Sequence, residues 1–132
     1  MDADRIADGL LDASLPQVEW THAAYVMAAH TLVRRLGPQR ALVAVRAAIP
    51  RLNDAHGVPN SDSDGYHETL TVFFMAAVAA CVARGLDLDA TLAAMTRDAP
   101  LAYWSRDVLF SVAARHGYVP PDLAAPPFPV SL

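Results

Sequence analysis

Residues 66–84, YHETLTVFFMAAVAACVAR, decide the fold. The stretch starts with polar and ionisable side chains at Tyr66, His67, Glu68 and Thr69, then carries no charge until Arg84. Its apolar run from Val72 to Ala83 is 12 residues long. A bilayer span needs about 20. A helix that is apolar all round and too short to cross a membrane belongs in the centre of a bundle. Gly85 supplies its stop.

Working outward, abundant alanine and the absence of β-branched alternation predict helices on both sides. A short first helix is expected over 4–13, broken by Ser14-Leu15-Pro16. A second runs from about Val18 to Leu36, where Gly37-Pro38 ends it and starts a third. In the third, Leu42, Val45, Ile49, Leu52 and His56 step by 3 and 4 along one face, and Gly57 closes it. Pro50 is expected to kink this helix or end it a turn early. Asp64 or Ser63 should cap the fourth helix, and Asp87 or Asp89 a fifth over about 88–97. A sixth is expected over 106–115, stopped by Gly117. From Val119 onward the chain holds five of its ten prolines, which predicts an extended strap over 119–132. The expected fold class is all-α: one domain over 1–132, a compact bundle of five to six helices.

Composition bounds the rest. The 132 residues carry 10 Lys+Arg and 14 Asp+Glu, a net charge of −4, with 54% apolar and 18% charged. That profile excludes a disordered chain, and its mild acidity argues against nucleic acid as a partner. One cysteine, Cys81, rules out an internal disulfide and a Cys-based zinc cage. It sits in the apolar run and reads as an inert core thiol. The acidic start MDADRIADGLLD does not resemble a secretory signal, so a cytoplasmic setting without a membrane partner is expected.

The residues that could carry chemistry are few. His67 and Glu68 open the most apolar helix, where polar burial needs a reason. His22 lies near the start of the second helix, with Tyr25 close by in sequence. His30 is about 80° round that helix from His22 and does not share its site. His56 and His116 fall at helix ends and read as structural or surface groups. Asn60-x-Asp62-x-Asp64-Gly65 matches the start of a calcium loop, but position 12 is Thr71 and position 8 is His67. It reads as a capped turn.

Three segments, Glu19-Trp20-Thr21-His22, Asn53-Asp54-Ala55-His56-Gly57 and Gly65-Tyr66-His67-Glu68-Thr69-Leu70-Thr71, carry a resemblance. In order and spacing the chain resembles a family of small bacterial helical proteins without an assigned chemistry. That family shows an aromatic-x-His-x-x-His segment early and a Tyr-His-Glu-Thr-Ile-Thr segment later. Tyr103-Trp104-Ser105-Arg106, Ala114-Arg115 and Pro121-Asp122 resemble its ending. The resemblance implies a pocket between helices two and four. Tyr25 stands where the family has its second histidine, which takes a good ligand away from any metal cage.

The expected site is therefore an inter-helix pocket using His22, Tyr25, His67 and Glu68 for acid–base catalysis. Trp20, Thr71, Tyr103 and Trp104 are expected to contact substrate. His22 and Glu68 are expected to meet across helices two and four, because a buried carboxyl needs a partner. The reaction would be of isomerase, cyclase or lyase type on a small molecule, since no nucleophile, phosphate-loop or dinucleotide motif is present. No cofactor is favoured. The alternative is a divalent metal on His22, His67 and Glu68, ranked lower because the last two are neighbours about 100° apart on a helix. A further alternative is a non-catalytic binding or dimerisation module, a homodimer included.

Overall fold

The computed structural model describes residues 2–130. Met1, Ser131 and Leu132 lie outside the described residues, so the last two positions of the expected strap do too. Among the described residues the chain is all-helical and contains no strand. The seven α-helices are α1 (Ala3–Leu11), α2 (His22–Leu36), α3 (Pro38–Ala55), α4 (Glu68–Ala83), α5 (Leu88–Ala94), α6 (Arg106–Leu109) and α7 (Val112–His116). Single 3-10 turns occupy Gln17–Glu19 and Ala99–Ala102.

Helix α4 is the core element. It buries Thr69, Val72, Phe73, Phe74, Met75, Ala77, Val78 and Cys81. It packs on α2, α3 and α7, while α2 also packs on α1, α3 and α5. One apolar cluster joins Ile6, Leu10, Leu32, Leu52, Val72 and Val78. A second gathers Phe73, Phe74, Ala77, Trp104 and Leu109 on another face of the same stretch of α4.

The chain departs from the expected elements in more than one way: the first helix ends at Leu11 and the fifth at Ala94, before the expected Ala13 and Arg97, where Ala13 takes φ +61° and Met95 leaves helical geometry. The expected second helix begins four residues late, at His22, because Gln17–Glu19 forms its own turn and Thr21 supplies the cap. Thr21 Oγ1 accepts from the Ala24 amide at 3.1 Å. His22 is thus the first helical residue. Helix α3 runs through Pro50 to Ala55 instead of ending early. Pro50 removes one ladder hydrogen bond, and the buried Ala48, Ile49, Leu52 and Asn53 hold the face on both sides of it. The expected sixth helix is two, α6 and α7, because Ser111 turns extended and caps α7 through Oγ to the Ala114 amide at 3.1 Å. Lastly, α4 is capped by neither Asp64 nor Ser63. His67 is its N-cap.

The polar loop before α4 closes on Asn60. Its Oδ1 accepts from the Tyr66 amide at 2.9 Å and from Asn53 Nδ2 at 3.0 Å. Gly65 has φ +79°, and a Cβ there would collide with the Pro59 carbonyl and Asn60, so only glycine fits. Among the described residues no helix follows α7. Trp104 Nε1 donates to the Val119 carbonyl at 3.0 Å, and the Leu123 amide donates to Tyr103 O at 2.9 Å. Asp122 Oδ1 accepts from the Ser105 amide at 2.8 Å, and the Ser105 side chain first, then this amide, hold its carboxyl below the usual range. No helix among the described residues is long and apolar enough to cross a membrane.

Candidate functional site

At the start of α2 a cleft of about 480 Å³ opens between α2, α4, the Ala99–Ala102 turn and α6. Trp20, Thr21, His22 and Tyr25 line one side, and Leu70 and Phe74 of α4 line another. Leu101, Leu109 and Phe110 complete the apolar lining, and Arg97, Asp98 and Arg106 supply its charges. Its aromatic residues touch one another. Trp20 and Tyr25 ring centres lie 5.8 Å apart, and His22 and Tyr25 stack at 6.5 Å. Phe74 meets His22 edge-on at 5.1 Å and Tyr25 at 5.8 Å.

His22 is held by one bond. Its Nε2 lies 2.8 Å from the Met95 carbonyl. A carbonyl only accepts, so Nε2 carries the proton in the neutral ring and Nδ1 keeps the lone pair. Nδ1 has no hydrogen-bond partner among the described residues and is not buried. The late start of α2 sets this up, since Thr21 caps the helix and His22 follows directly.

Tyr25 shares the lining, but its hydroxyl is buried and lacks a hydrogen-bond partner among the described residues. Thr71 lies beside it, outside hydrogen-bond geometry, and Thr71 Oγ1 donates to the His67 carbonyl at 2.9 Å. Burial pushes the Tyr25 phenol well above its ordinary value, with Thr71 pulling the other way. It stays protonated at any ordinary pH.

His67 and Glu68 do other work. His67 Nε2–H donates to the Leu109 carbonyl at 2.7 Å, and Nδ1 accepts from the Leu70 amide at 3.1 Å. Both nitrogens are used and the ring is neutral. Burial lowers its pKa, with the Arg115 charge adding to the effect and the Leu109 bond opposing it. Glu68 Oε2 pairs with Arg46 of α3 at 2.9 Å, and Oε1 accepts from the Tyr66 hydroxyl at 2.5 Å. Burial and the Glu68 carboxylate raise the Tyr66 phenol, and Glu68 raises Arg46.

The expected meeting of His22 with Glu68 does not occur. Arg46, on the neighbouring helix, is a stronger partner for a carboxylate than a neutral imidazole. Of the expected site residues, the cleft brings together Trp20, His22 and Tyr25. Thr71 is buried behind it, and Trp104 is wholly buried in the second core cluster with Tyr103 packed against it. Among the described residues no three His, Cys, Asp or Glu side chains converge as a metal site would require, so His22, His67 and Glu68 do not gather. Sequence reasoning missed Arg97, Arg106 and the apolar lining from Leu101, Leu109 and Phe110. The sequence did not mark them: the single helix expected over 106–115 would run through Phe110, which instead follows the short α6 and is 54% exposed.

No family model, curated protein or solved structure matches this chain. The motif resemblance therefore lends the cleft no chemistry, and its function rests on its own geometry.

Proposed function

We propose that the cleft binds a small, mainly apolar molecule and that His22 accepts a proton from it. The observation behind this is the single bond from His22 Nε2 to Met95 O. It fixes one tautomer and leaves Nδ1 as the free acceptor of a residue lining an aromatic cleft. Proton removal next to a carbonyl, as in isomerisation, cyclisation or elimination, needs such a base. Tyr25 contributes its ring, since its high pKa makes it a poor acid at neutral pH. In this reading the proline-rich segment from Val119 acts as a strap behind the cleft. The Trp104–Val119 and Ser105–Asp122 bonds support that role. The buried free thiol of Cys81 accords with a cytoplasmic setting.

The test uses 2-tetralone, an apolar bicyclic ketone with exchangeable α-protons. In D2O the protein should speed their exchange, read by proton NMR, and His22→Gln should abolish the acceleration. Binding without acceleration would favour the second reading, a non-catalytic binding module. The commitment of His67 and Glu68 to structural bonds supports that alternative. No binding at all would remove both.

A further inference from the structure

We infer that the cleft's ligand is an anion: an apolar, ring-sized molecule carrying a carboxylate or a comparable acidic group. This rests on the reading of the cleft as a small-molecule site. The argument starts from the arginines. All ten basic residues of this acidic chain are arginine. Among the described residues, Arg5, Arg35 and Arg46 are matched to carboxylates. Arg115 donates to the Gly65 and Tyr66 carbonyls. Six arginines, Arg34, Arg40, Arg51, Arg84, Arg97 and Arg106, make no ion pair and no side-chain hydrogen bond within the described residues; of these Arg97 and Arg106, both solvent-exposed, line this one cleft together.

Only one carboxylate, Asp98, shares the lining, and it pairs with neither arginine. The lining thus carries two guanidinium charges against one carboxylate beside an aromatic and aliphatic surface. A guanidinium is a planar fork of donors shaped for a carboxylate, and these two stand at the exposed rim of an apolar lining. A neutral ligand would leave this donor set idle. A cationic ligand would meet repulsion from two arginines and attraction from one aspartate. An acid with an apolar body answers both halves of the surface: rings against Trp20, Tyr25 and Phe74, and charge against Arg97 and Arg106. The Nδ1 lone pair of His22 is not spent on that charge and remains available to a proton elsewhere on the ligand.

The test compares 2-naphthoate with 2-naphthamide, which share shape and differ in charge. Binding is followed by Trp20 fluorescence, with Trp20→Phe assigning the signal against Trp104. Naphthoate should bind about tenfold more tightly, and added salt should narrow the gap. The double variant Arg97→Gln/Arg106→Gln should lose that preference while keeping naphthamide affinity. Arg84→Gln, remote from the cleft, should change nothing. Equal binding of the two probes, or a preference surviving in the double variant, would overturn the inference and leave the cleft reading standing. Binding of neither probe would overturn both.

Discussion

His67 and Leu109 are 42 positions apart in sequence, and a 2.7 Å hydrogen bond from the imidazole Nε2–H to the carbonyl joins them. The opposite nitrogen of the same ring caps α4 through the Leu70 amide. One neutral side chain thus ties the first turn of the central helix to the end of α6.

That bond predicts a pH dependence. His67 has its pKa lowered from the ordinary 6.5, mainly by burial. Below 6.5 the unfolded chain takes a proton that the folded one resists, so stability falls as pH drops through that window. Above 6.5 both states are neutral and the contribution is complete. His67→Asn keeps a capping oxygen and removes the titration. The difference in urea midpoint between the two proteins should shrink as the pH falls from about 7.5 to about 5. A constant difference would show that His67 does not report pH.

His67→Ala removes a cap and strands the Leu109 carbonyl. The expected loss is about 2–4 kcal/mol, read from chemical denaturation. A loss under about 0.5 kcal/mol would mean that water replaces the imidazole on both sides.

Glu68→Gln separates structural from catalytic service. The carboxylate side chain is 17% exposed and holds Arg46 and Tyr66. Its replacement should cost about 1–2 kcal/mol of stability. Naphthamide affinity should stay unchanged, because Glu68 does not line the cleft. Lost affinity with intact stability would contradict this assignment.

Tyr25→Phe deletes a buried hydroxyl that lacks a partner. The variant should gain about 1 kcal/mol, since the ring packing stays and the desolvation cost goes. A comparable loss would reveal a partner such as ordered water or a rotated Thr71.

Phe74 is both core and cleft lining: it is 5% exposed and in edge contact with His22, Tyr25 and Phe73. Phe74→Ala should cost about 3–5 kcal/mol. A cost below about 1 kcal/mol would mean that the neighbouring rings collapse into the space without strain.

Much of the architecture was legible because its causes are local. The apolar run fixed α4 to within two residues of its observed start, and Gly37-Pro38 marked the α2–α3 boundary. Of the two expected candidates for the α5 cap, Asp87 and Asp89, it is Asp87 whose side chain accepts from the Ala90 amide. What failed locally was a choice between competing caps. Ser111 and Thr21 each diverted a backbone that propensity alone would have kept helical. The site was less legible because partnership is a tertiary matter. Sequence showed that Glu68 needed a counter-charge, but α3 placed Arg46 beside it and left His22 to a backbone carbonyl. Arg97 and Arg106 sit nine positions apart in an irregular stretch, with no periodicity to announce that both would face one cleft.

The two sides of the cleft also differ in cooperativity. His22, Tyr25 and Phe74 belong to helices of 15 and 16 residues, long enough to share a packed core along several turns. The opposite side is a 3-10 turn of 4 residues and a helix of 4, neither able to persist alone. Amide hydrogens of residues 99–110 should therefore exchange with solvent well before those of α2 and α4. Local opening would then widen the approach to the base and the aromatic platform while α2 and α4 stay packed, so the cleft's breathing would come from its short side.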